Sequence, residues 1–161
     1  MHACARQLAL VSMIVGLTVW HYQASAQTPD PLAGTWKLNG AKSKYSPGPA
    51  PKSLTLKIDA AGDGEKVVAD GVRGDDTPIH VEYSAQYDGK DHPITGSPMA
   101  DTVSLKRLDA NTTERTDKKG GKITQTLTRK VSGDGKTVTV TYKGADAQGQ
   151  PTDTSAVFEK Q

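Results

Sequence analysis

Ile79-His80-Val81-Glu82-Tyr83-Ser84-Ala85-Gln86-Tyr87-Asp88-Gly89 is the stretch that decides the fold class of this chain. Ile79, Val81, Tyr83, Ala85 and Tyr87 alternate with His80, Glu82, Ser84 and Gln86. Apolar and polar residues at period two describe a strand with one buried face and one wet face. Asp88-Gly89 closes the run with the residue pair that a two-residue hairpin turn demands.

The same pattern extends in both directions. Upstream, Leu54, Leu56 and Ile58 share one face, with Thr55, Lys57 and Asp59 on the other. Gly62-Asp63-Gly64 is a tight turn, and Glu65 to Val72 follows as a strand whose facing the alternation leaves open. Earlier still, Trp36 and Leu38 fall opposite Thr35 and Lys37. Downstream, strands are expected over Thr102 to Leu108, Thr112 to Asp117, Lys122 to Val131, Thr137 to Lys143 and Thr154 to Lys160, with a short one at His92 to Thr95. Asp109-Ala110-Asn111, Gly120-Gly121, Gly133-Asp134-Gly135 and Gln148-Gly149 connect them, all residues that tolerate turn conformations. The expectation is all-β, with nine or ten strands and no helix.

Short turns make consecutive strands neighbours. A long antiparallel meander curls, and closing it removes its exposed edges. The predicted fold is therefore an antiparallel up-and-down β-barrel. A Greek-key sandwich needs long crossovers, and only two connections have the length: Ala41 to Lys52, with Pro47, Pro49 and Pro51, and the region around Pro93 to Asp101. The alternating prolines forbid a helix in the first and predict an extended, irregular loop over one end of the barrel.

The N-terminal stretch reads differently. Arg6 precedes an apolar run from Leu8 to Val19, and Ala24-Ser25-Ala26 has the small-x-small pattern of a signal-peptidase site. The run is short for a membrane span, which takes roughly 20 apolar residues. Residues 1–26 are thus expected to be a cleaved signal peptide and 27–161 a single exported domain, periplasmic or secreted. Removing 26 of the 161 residues leaves 135. The lone Cys4 lies inside the leader, so the mature domain would hold no disulfide and no thiolate metal site. Its 19 basic and 18 acidic residues are interspersed, which argues against nucleic acid or an anionic membrane as partner and gives no membrane span in the mature chain.

Gly34-Thr35-Trp36-Lys37-Leu38 resembles the opening strand of the lipocalin and fatty-acid-binding-protein (calycin) superfamily, and Phe158-Glu159-Lys160 resembles the closing strand of fatty-acid-binding proteins. The opening motif is also similar to that of small exported bacterial proteins that begin with Gly-Thr-Trp. The resemblance implies a lipocalin-like barrel in which Gly34 lets the chain enter tightly and Trp36 plugs the closed end. It also implies a late arginine packed across the tryptophan. Arg129 is the candidate, since it shares a face with Ile123, Leu127 and Val131; the alternative is that it reaches past the rim. Two features depart from the family. Tyr45-Ser46-Pro47-Gly48-Pro49-Ala50-Pro51 fills the slot where fatty-acid-binding proteins carry two helices. Ala156 and Phe158 stand where those proteins place the Arg and Tyr of a carboxylate clamp.

No Ser-His-Asp arrangement, phosphate-cradling loop, dinucleotide fingerprint or metal-ligand spacing is present, so no catalytic residue, metal or cofactor is expected. Tyr83, Tyr87 and Tyr142 lie on the apolar faces of their strands; with Arg129 they are the candidate ligand contacts. The competing reading is that they simply fill the barrel. The expected function is a non-enzymatic module binding a small neutral or mouth-bound ligand. The alternative is a protein-interaction or inhibitor module with a filled interior. Oligomeric state is not legible.

Overall fold

The computed structural model describes residues 29–145 and 150–161. The expected signal peptide at 1–26 and the Gln148-Gly149 turn lie outside the described residues. Ten strands follow in order: β1 Gly34–Lys44, β2 Ser53–Ala61, β3 Gly64–Val72, β4 Pro78–Gln86, β5 His92–Thr95, β6 Thr102–Arg107, β7 Thr112–Lys119, β8 Lys122–Val131, β9 Thr137–Ala145 and β10 Pro151–Lys160. Each pairs antiparallel with its sequence neighbours, and β1 also pairs with β10 to close the barrel. The closing register sets Trp36 against Lys160 and Leu38 against Phe158, on backbone groups that an open sheet would leave unpaired. A closed meander is the predicted up-and-down barrel and leaves no place for the sandwich.

The strands run longer than the alternation suggested. β1 continues to Lys44 and so takes the first four residues of the expected Ala41 to Lys52 loop. It does so through an irregularity: Asn39 pairs with Val157, but the next partners are Lys44 and Ser155. The Ser43 hydroxyl sits inside this bulge, accepting from the Val157 amide at 2.9 Å and donating to the Asn39 carbonyl at 2.7 Å. Polar side chains thus replace the ladder bonds that the bulge interrupts. The rest of the loop is irregular, as its prolines require. Ile123 departs from its expected face. β8 bulges at Thr124, so that Asp117 faces Gln125 while Lys118 faces Ile123, and Ile123 ends up exposed beside the Gly120-Gly121 tip.

Trp36, Phe158, Leu32, Leu105, Val103, Val131 and Val138 are fully buried together. The Trp36 indole N–H donates to the Leu32 carbonyl at 2.8 Å, which satisfies the one polar atom that burial would orphan. Lys160, paired opposite Trp36, places its ammonium 5.0 Å from the centre of a Trp36 ring. A cation therefore does lie over the tryptophan, but it is Lys160 and not Arg129. Gly34 precedes this plug with φ +135°, and a Cβ there would lie 2.9 Å from Lys160 Cε. The positive φ favours glycine where the chain enters the barrel, while the Lys160 side chain is flexible enough to move aside.

Candidate functional site: a polar-floored cavity in the barrel

β7 reads Thr-Thr-Glu-Arg-Thr-Asp-Lys-Lys and carries no apolar side chain. It is nevertheless a wall of the barrel, so whatever it turns inward is polar. Thr113, Arg115 and Asp117 face inward, opposite Arg129, Leu127 and Gln125 of β8. Taking such groups out of water costs several kcal/mol per ion unless each finds a partner. The interior meets that requirement with two ion pairs.

The first is Glu65–Arg129. Glu65 is fully buried; Arg129 Nη1 lies 2.7 Å from its Oε1. The Tyr83 hydroxyl donates to Oε1 at 2.6 Å and the Tyr87 hydroxyl to Oε2 at 2.8 Å. Arg129 Nη1 also reaches the Tyr83 oxygen at 3.3 Å, and its Nε donates to Thr113 Oγ1 at 3.1 Å. Burial drives the Glu65 carboxyl upward, but the Arg129 charge and these hydrogen bonds outweigh it and hold the group below its ordinary value. Burial likewise pushes the Tyr83 hydroxyl up to about 12, so it stays protonated as the donor this arrangement needs.

The second pair is Arg115–Asp117. Two donors of Arg115, Nε and Nη2, meet the two carboxylate oxygens at 2.7 and 2.8 Å, and Gln125 Nε2 adds a third bond at 2.7 Å. Arg115 also sits 5.2 Å from the centre of the Tyr83 ring, which links the two networks. Each pair sums to zero charge.

Above this floor the barrel is open inside. A cavity of about 610 Å³ runs toward the mouth. Its wall is chiefly aliphatic, from Leu54, Leu56, Val67, Ala69, Val81 and Leu127 among others. Three connecting segments contribute its rim: Tyr45 to Pro51, Arg73 to Asp75, and Ser97 to Met99. The first is tied to β10, where the Asp153 amide donates to the Ser46 carbonyl at 2.8 Å. The third is tied to β8, where Thr124 Oγ1 donates to the Met99 carbonyl at 2.9 Å.

Of the four residues singled out in the sequence, Tyr83, Tyr142 and Arg129 line this cavity. Tyr87 does not. It lies toward the closed end, where its hydroxyl holds Glu65 and its ring is covered by Arg107, 4.2 Å from the centroid. Arg129 neither packs on Trp36 nor reaches past the rim; it is buried in the ion pair. The two histidines among the described residues are outside the cavity lining, His80 beside Asp70 and His92 beside Asp88. Among the described residues no three His, Cys, Asp or Glu side chains converge as a metal site would require.

Glu65, Arg115, Asp117 and Gln125 were not singled out. Glu65 had a signal: it alternates with Val67 and Ala69, so parity places it inside with them. Arg115 and Asp117 had none within their own strand, because no apolar residue marks a face of β7. Only the register shows it. They pair with Leu105 and Val103 of β6, and directly opposed residues share a face.

No family model matches the chain, and no curated protein matches it. Among solved structures the chain is similar to zebrafish ileal bile acid-binding protein complexed with cholic acid. The identity is 13%, the TM-score 0.48, and the match covers 81% of this chain and 99% of that one.

Proposed function

We propose that this protein is an exported, non-catalytic carrier or receptor that binds a small uncharged molecule inside its barrel. The cavity carries this reading. About 610 Å³ falls within the roughly 300–1,000 Å³ of small-molecule sites, and its lining has their character, an aliphatic wall with a few placed polar groups. A module that works only through its outer surface has no need of that space, and a filled barrel is what the interaction reading requires. The preference for an uncharged ligand follows from the interior charges. The two arginines of the floor, Arg115 and Arg129, already face a carboxylate, so an anion brought down to the floor would find no free counter-charge there to offset its desolvation.

Titration with the neutral apolar dye N-phenyl-1-naphthylamine tests the reading. The dye should bind with enhanced fluorescence. Ala69→Trp, which projects a large ring into the cavity from a small lining residue, should abolish binding while leaving the far-ultraviolet dichroism of a β-barrel. Absence of dye binding to the native protein, or undiminished binding to a folded Ala69→Trp variant, would refute it.

A further inference from the structure

Arg129 has five N–H donors in a fixed planar fork. Nε is used by Thr113, and Nη1 by Glu65 and Tyr83. Nη2 is buried and has no hydrogen-bond partner in the protein. A buried donor left unmade is costly, and native interiors rarely keep one. Arg129 also lines the cavity, whereas its partner Glu65 does not; Nη2 itself is covered, so an acceptor reaches it only when a neighbouring side chain gives way. Thr152 Oγ1 is a second buried polar atom without a partner, and Thr152 lines the same cavity.

We infer that Arg129 Nη2 is the specificity contact of the cavity, and that it receives an uncharged oxygen acceptor, such as a ketone, ester or amide carbonyl, at the deep end of an elongated apolar ligand. This deepens the ligand-binding reading and rests on it. The acceptor is neutral because Glu65 already balances the Arg129 charge, and Asp117 balances Arg115; a carboxylate delivered to Nη2 would leave the buried cluster with a net negative charge. The shape follows from the wall. Arg129 pairs with Val140, and Val140 with Ala156; Thr152 lies four residues along β10 from Ala156, toward the mouth. At roughly 3.4 Å per residue, the two residues are offset by about 14 Å along the strand direction. The lining between is mainly aliphatic. A ligand that fits has an acceptor at one end, a hydrocarbon body, and a second polar group near Thr152.

Displacement of N-phenyl-1-naphthylamine by 2-decanone, decane and decanoate at about pH 8 tests the inference. The informative quantity is the ratio of ketone to alkane affinity, which cancels the contribution of the shared hydrocarbon chain. Arg129→Lys keeps a positive charge for Glu65 but removes the forked second donor. This ratio should fall about tenfold or more from native to Arg129→Lys, ~1.4 kcal/mol, with decane affinity little changed. Decanoate should bind the native protein no more tightly than the ketone. Should Arg129→Lys fail to fold, the paired replacement Glu65→Gln with Arg129→Met removes the donor without leaving a lone buried charge, and the same fall is expected. An unchanged ratio in a folded variant, or decanoate binding more tightly than the ketone, would overturn the inference. Failure of the dye and all three probes to bind the native protein would overturn the ligand-binding reading beneath it.

Discussion

Replacing Arg129 by methionine separates the two roles of the floor, structural support and ligand contact. The substitution approximates the volume of the side chain but removes the charge opposite Glu65, which is fully buried. Breaking a buried pair by deleting one partner costs about 3–5 kcal/mol. The hydroxyls of Tyr83 and Tyr87 remain on the carboxylate, so Glu65 keeps hydrogen bonds at 2.6 and 2.8 Å, and the lower end of that range, ~3 kcal/mol, is expected at neutral pH. The pH dependence identifies the cause. In the native protein the folded Glu65 value is depressed, so its contribution to stability is present above the unfolded carboxyl value and lost as pH falls through the folded one. In Arg129→Met, burial is no longer outweighed and the folded value should rise above the unfolded one. The penalty is then full at high pH and shrinks as protons neutralise Glu65. Urea unfolding of both proteins at about pH 8 and about pH 5 should show the larger gap at the higher pH. Adding Glu65→Gln should recover most of the loss. A gap under ~1 kcal/mol, or one that is equal at both pH values, would refute the argument that Arg129 is held as the counter-charge of Glu65.

Trp36→Ala should cost about 3–5 kcal/mol, because it empties a fully buried site at the closed end; an unmoved urea midpoint would show that Trp36 does not plug the barrel. Gly96→Ala places a Cβ 1.9 Å from the His80 carbonyl oxygen at a φ of +75°, so a loss of roughly 1–3 kcal/mol and a lower Tm are expected by thermal unfolding. An undiminished Tm would mean that the rim segment beginning at Ser97 can shift without cost. Export should yield a mature chain beginning at Gln27, read by intact mass; retention of Trp20 and Tyr22 would overturn the cleavage site.

The barrel was legible because its signals are local. Ile79 to Gly89 alone contains a half-buried strand and its turn, and the short connectors make neighbours pair. The strand ends were less legible. β1 reaches Lys44 only because Ser43 and Asn39 bridge a bulge, and no alternation announces a bulge. The site was half legible. Tyr83 and Tyr142 carry apolar bodies in the right phase, and parity finds them. Arg129 stands in the same phase, but its purpose depends on Glu65, 64 positions away in sequence, and the family resemblance pointed it at Trp36 instead. The structure gives that place to Lys160, because β1 and β10 close the barrel in a register that sets the two side by side. Long-range register decides which charge meets which, and single-strand patterns do not contain it.

The floor is harder to explain by stability than by ligand binding. Exchanging a buried ion pair for well-packed apolar residues of similar volume is often neutral or stabilising by about 1–4 kcal/mol. This barrel holds two such pairs, in a domain whose described interior has few aromatic residues to fill it. The pairs do not fill the space either, since about 610 Å³ remains beside them. What they supply is a rigid, electrically neutral polar surface. Its charged groups are committed to one another, and a buried donor without a partner, Arg129 Nη2, belongs to a cavity-lining residue. Under the proposed reading, the hydrogen bonds from Tyr83, Tyr87 and Thr113 fix the guanidinium before a ligand arrives, so little side-chain entropy is lost on binding. The same commitment limits the chemistry. With Glu65 and Asp117 already occupying the charges of both arginines, the floor cannot neutralise an anion, and on the proposed reading the expected selectivity for uncharged molecules rests on these pairs.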